Sequence, residues 1–124
     1  MRGLSFFCLT TASLYALAGM AFGIYMAASH DHMLAPAHAH LNLVGWVTIA
    51  LYGFYYHAVP AASLGRLPQI QVGAATLGVL LLAPGIALAM LDITEAFAAI
   101  GSLITLIAML LFAIIVIRNR VAAV

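Results

Sequence analysis

Polar residues interrupt the apolar pattern of this chain at only three places. Apolar runs extend over about 4–28, 37–59, 68–91 and 95–117, separated by SHDHMLAP at 29–36, a short stretch near 60–67 and the DITE turn at Asp92–Glu95. Each run is close to the ~20 residues that a helix needs to cross a hydrocarbon core. The pattern predicts an all-α fold, a single-domain integral membrane four-helix bundle with spans at those positions.

Composition supports that prediction. The 124 residues are 67% hydrophobic and 6% charged, with a mean hydropathy of +1.21, a balance that no water-soluble domain of this size tolerates. Arg2 ahead of an apolar run, with Ala27 and Ala28 behind it, has the outline of a signal peptide. The run is too long for a signal h-region and is expected to remain as the first span.

The few charges are asymmetric. Four spans put Arg2, Arg66, Arg118 and Arg120 on one side and Asp31, Asp92 and Glu95 on the other. The positive-inside rule then predicts a multi-pass protein of the cell inner membrane with both termini cytoplasmic and the 29–36 stretch at the outer face. A net charge of +1 without a basic stripe excludes nucleic acid as a partner. The single Cys8 excludes a disulfide framework or a thiolate metal site within one chain.

Within the runs, Gly19 and Gly23 in GMAFG have the small-xxx-small spacing that lets a neighbouring helix approach, in the ordinary way of bundle packing. Pro36 suits the first turn of span two. Tyr52, Tyr55, Tyr56, His57 and Pro60 read as an aromatic belt at the inner interface. Pro84-Gly85 predicts a kink in span three, and Asp92 or Thr94 can cap span four.

The chemistry lies in the histidines. His30, His32, His38 and His40 fall within eleven residues at a predicted membrane boundary, where an ionisable side chain is a functional candidate by default. At ~100° per helical residue, His38 and His40 point to nearly opposite faces, so one ion cannot take both if the helix is regular there. His57 lies ~28 Å further along at 1.5 Å per residue and cannot share their site. A second ligand to His40 must come from His30 or His32 or from another copy. Three readings stay open for His38 and His40: heme ligands, a hard metal site, or interfacial polar residues. His30 and His32 are surface residues or partners of a cofactor's acidic groups, with a copper or zinc site as the alternative.

The run AHAHLNLVGWVTIALYGFYYHAVP resembles the tenth transmembrane helix of the catalytic subunit of heme-copper oxidases, most closely the nitric oxide reductase and C-type cytochrome oxidase branch. The match covers about a quarter of the chain. In that family an HxH pair opens the helix; the first histidine binds the high-spin heme and the second the low-spin heme. The resemblance therefore implies heme b, with His38 and His40 as iron ligands. His40–Leu43 also looks like the family's second helix, which supplies the other low-spin ligand. The catalytic subunit has twelve helices in three groups of four, so this chain is similar to one third of it, and the resemblance implies a homotrimer. Gly19, Gly23, Gly73 and Gly78 are the small residues expected to let adjacent chains approach. The family's copper-ligand patterns are not found, so no catalytic residue is assigned.

Three functions follow: a heme b membrane protein that exchanges electrons with a redox partner or binds a gas; a copper- or zinc-binding membrane protein; a cofactor-free subunit of a respiratory complex. The topology is directly testable. Cysteines placed at Ser29 and Thr94 are expected to react with a membrane-impermeant reagent added outside intact cells, and one at Ser63 is not; labelling at Ser63 alone inverts the orientation.

Overall fold

The computed structural model describes residues 1–120, and among these it contains helices and no strand. Helix α1 covers Gly3–Ser29. The second helix is built of three consecutive stretches: α2 (Ala35–His40), a π-helical stretch (Leu41–Thr48) and α3 (Ile49–Ala58). Both junction residues keep right-handed helical angles, with φ −66 and ψ −40 at His40 and φ −65 and ψ −47 at Thr48, so the three form one continuous rod. A 3₁₀ turn (Pro60–Ser63) leads to α4 (Arg66–Met90), and α5 is Ala96–Arg118. The chain is thus an all-α membrane bundle of four helices. Of these, α1, α4 and α5 are each long and apolar enough to cross a membrane as a single helix.

Local chemistry accounts for where the helices begin. Pro36 sits in the first turn of α2, where its missing N–H costs nothing. Gly65 precedes α4 with φ +87, a conformation that side chains disfavour, and a Cβ there would meet nothing. Of the two expected caps for α5, Thr94 makes the bond: its Oγ1 accepts from the Ala96 N–H at 3.2 Å. Asp92 instead takes the left-handed position of the turn, with φ 58. Helix α4 passes through Pro84 without a break, and Pro84 faces outward.

The helices form two pairs, α1 against the second helix and α4 against α5, with α4 touching every other element. The tightest joint lies between α4 and α5. A Cβ built on Gly101 would stand 2.5 Å from the Leu82 backbone nitrogen, and one on Gly85 would stand 2.5 Å from that of Ala98. Gly78 packs on Thr105 in the same seam. On the other pair, Gly53 is seated over Cys8, Leu9 and the Ser5 carbonyl.

Away from the histidine end, Phe112 of α5 packs between tyrosines of α3, with ring centroids 4.5 Å from Tyr52 and 5.1 Å from Tyr55. The Tyr56 hydroxyl donates to Gln71 Oε1 at 2.8 Å, and Gln71 Nε2 donates to the Ala108 carbonyl at 3.3 Å. One polar chain therefore links three helices through a buried glutamine. This corrects the expected aromatic belt: Tyr52 and Tyr56 are buried core residues. Their polar tips reach protein partners, with Tyr52 directed at the Met109 sulfur, so neither needs the interface that belt tyrosines occupy.

Stability should follow the glycine seats. Gly101→Ala inserts a methyl against backbone that has no rotamer to yield, and is expected to cost about 2 kcal/mol. Gly73→Ala meets nothing within 4 Å and should leave stability equal or slightly raised. Denaturant unfolding of the two variants in detergent measures the difference; equal stabilities would contradict the tight α4–α5 seam.

Candidate functional site

The turn that carries the first two histidines is short and internally bonded. His30 ends α1 in the left-handed conformation, with φ 56. The Ser29 hydroxyl accepts from the Asp31 N–H, and Asp31 Oδ1 accepts from the Met33 N–H at 3.0 Å. The His32 carbonyl accepts from the Ala35 N–H at 3.1 Å and starts the second helix. His30 and His32 are both exposed.

His38 and His40 lie on a regular α-helical turn, so the separation expected from their spacing is present. His40 is exposed, and its Nδ1 lies 2.8 Å from the Pro36 carbonyl oxygen. A carbonyl only accepts, so Nδ1 carries the proton. In the neutral ring Nε2 then keeps its lone pair, pointing away from the bond that orients the ring. This is the state in which metal-ligating histidines are held, with one ring nitrogen donating to a backbone carbonyl and the other free to ligate. Proline is well placed here, since it starts the helix and its carbonyl falls one turn before His40.

His38 turns the other way, toward α1. Asn42 Nδ2 lies 3.0 Å from His38 Nε2 and also 3.0 Å from the His38 carbonyl. The carbonyl requires a donor, which identifies that atom as the amide nitrogen and makes His38 Nε2 the acceptor of its second hydrogen. The ring stacks edge-on against Phe22, with centroids 5.8 Å apart. Beneath the pair are two glycines of α1. A Cβ on Gly23 would lie 3.1 Å from His38 Nε2, and a Cβ on Gly19 would collide with the Asn42 amide. The GMAFG spacing thus matches the His38–Asn42 spacing, one helical turn against one helical turn.

These contacts correct one expectation. Gly19, Gly23 and Gly78 are packed within the chain, on Asn42, His38 and Thr105, and only Gly73 of the four expected at an inter-chain contact is open. Four residues of the site were not singled out from sequence as parts of it: Asn42, Pro36 through its carbonyl, Gly19 and Gly23. The i, i+4 spacing of His38 and Asn42 was the available signal.

Among the described residues, no three His, Cys, Asp or Glu side chains come together as a metal site. The four histidines therefore do not converge on one ion within the chain. Next to them, Ala37 and Leu41 floor an apolar groove of about 320 Å³ whose walls are Tyr15 and Phe22 of α1 and Val79 and Ala83 of α4. Directly after His40 comes the π-helical stretch, and Thr48 Oγ1 donates to the Leu43 carbonyl at 2.8 Å, five residues back, within that wider turn. Such stretches are frequent at functional sites.

Compared with protein-family models, curated proteins and solved structures, the chain matches none.

The assignment of the His40 tautomer is open to measurement. Nitrogen-15 NMR of histidine-labelled protein in detergent should show the neutral His40 ring with a protonated Nδ1 and an unprotonated Nε2. The opposite tautomer would remove the feature that makes it ligand-ready.

Proposed function

We propose that this chain is a heme b-binding protein of the inner membrane that transfers electrons or binds a diatomic gas. His40 acts as an axial ligand, and His38 ligates a second iron on another side of its helix. The observation that carries the reading is the His40 ring, exposed and oriented by the Pro36 carbonyl with Nε2 free. A single neutral imidazole from each of two sources satisfies an iron porphyrin, which needs axial donors only. A closed zinc or copper site needs three or four protein ligands, and no such group is found among the described residues. The resemblance of residues 37–60 to the HxH helix of heme-copper oxidases favours heme over other metals.

In this reading the second ligand to each iron comes from another copy rather than from His30 or His32 of the same chain. A cyclic homotrimer, twelve helices in all, supplies it, each heme lying between neighbours with His38 from one and His40 from the next. The termini are cytoplasmic and the histidine end faces outward. When bound, the heme supplies the redox chemistry; the chain supplies its ligands, a low-dielectric surround and a route of approach for a redox partner protein.

A visible spectrum of the purified protein tests this. A Soret band with sharp reduced α-bands is expected. His40→Ala and His38→Ala should each remove that low-spin spectrum or convert it to high-spin, whereas His57→Ala should leave it intact. Mixing the two single mutants should restore part of the low-spin signal in a trimer. A low-spin spectrum that survives His40→Ala sinks the proposal; bound copper or zinc without heme, or no cofactor at all, replaces it with one of the other two functions.

A further inference from the structure

The two histidines of the HAH pair are chemically unequal in this structure. His40 offers a free Nε2, but the same atom of His38 is already engaged by Asn42 and lies against the backbone of α1 at Gly23. Iron cannot reach His38 Nε2 until the Asn42 hydrogen bond opens and the ring swings off α1.

We infer that Asn42 is a positioning residue, a latch that withholds His38 from metal and so makes His40 the first ligand to load. The inference rests on the heme reading for the identity of the metal group, but the latch itself does not. Three features converge on it. Asn42 is bonded twice, to the ring and to the carbonyl of the same histidine, which fixes both the side chain and its amide orientation. Gly19 leaves room for the amide and for nothing larger, and Gly23 leaves room for the imidazole. Phe22 closes the ring's edge. A histidine meant only to fill space needs none of this matched seating, and one freely available to iron would not have its donor atom occupied.

The latch is reversible by construction. Opening it exposes one amide and one imidazole at the outer boundary of the bundle, where both find partners. The force opposing iron at His38 is therefore of the order of a single hydrogen bond, enough to order the two loading events without preventing the second.

The test uses the full chain, purified in detergent from heme-limited cells, as wild type, Asn42→Leu and Gly19→Ala. Leucine keeps the shape of asparagine and removes the donor; alanine at 19 displaces the amide from the other side. The first arm needs no iron. Diethyl pyrocarbonate acylates free imidazole nitrogen, and peptide mapping by mass spectrometry reads each histidine separately. His38 should react slowly in wild type and about ten-fold faster in both variants, the factor that one hydrogen bond of ~1.4 kcal/mol represents. His40 should react equally in all three, which reports an intact fold.

The second arm is hemin titration followed at the Soret band. Wild type should ligate hemin in two phases, a first that gives a high-spin spectrum and is abolished by His40→Ala, and a second, conversion to low spin, that is abolished by His38→Ala. In Asn42→Leu the His38-dependent phase should tighten by about the same ten-fold, with the His40-dependent phase unmoved. Equal acylation of His38 in wild type and Asn42→Leu overturns the latch whatever hemin does. Hemin binding with an unchanged His38 phase overturns its role in ordering ligation. Failure of every form to bind hemin removes the heme reading alone, and the acylation rates then decide the latch.

Discussion

Hydrocarbon gives apolar side chains no reason to turn inward, so a bundle in a membrane depends on contacts that lipid cannot imitate. Here that contact is the seating of a glycine against a neighbouring helix backbone or polar side chain. Gly85 and Gly101 join α4 to α5, Gly53 joins α3 to α1, and Gly19 and Gly23 join α1 to the histidine turn. Large apolar side chains such as Ile24, Leu17 and Leu106 point outward. The interior mixes small residues, Cys8, Ala12, Ala75 and Ala108, with Ile49, Val72, Val79 and Ile115, and encloses the Tyr56–Gln71 bond.

The same constraint shapes the site. A backbone carbonyl in a helix is normally committed to the amide four residues on, but its oxygen keeps a second lone pair, and Pro36 lends that one to His40. Asn42 uses the His38 carbonyl in the same way. Both histidines are therefore oriented by their own helix, and they keep their geometry without a buried charge, which would be costly at a membrane boundary. What differs is the remaining nitrogen: outward for His40, inward and occupied for His38.

The fold was legible because apolar run length is a direct readout of helices in lipid, and the helices follow the four runs closely. The opposed directions of His38 and His40 were legible for a related reason, since helical spacing alone sets them. Tyr52 and Tyr56 were misread because aromatic enrichment near the end of a span is the same for a belt and for a core; only the position of Gln71 and Phe112 in other helices separates the two. The role of Asn42 was hidden by ambiguity of a different kind. An asparagine one turn after a histidine can bond ring, backbone or lipid headgroup, and the choice is made by Gly19, twenty-three residues earlier in the chain. The π-helical stretch left no mark at all in the pattern of apolar residues.

That stretch has a consequence for how such a bundle can vary. It lies between the histidine end of the second helix and the end anchored by Tyr52 and Tyr56. Wider turns hold more residues than α-turns, so the stretch stores surplus chain without lengthening the rod in proportion. Loss or gain of one residue within 41–48 would turn the histidine end about 100° against the tyrosine end, swinging His40 onto a different neighbour while every contact beyond Thr48 stayed in place. The direction in which this protein presents its free imidazole is, in that sense, a dial that insertions and deletions can move independently of the core.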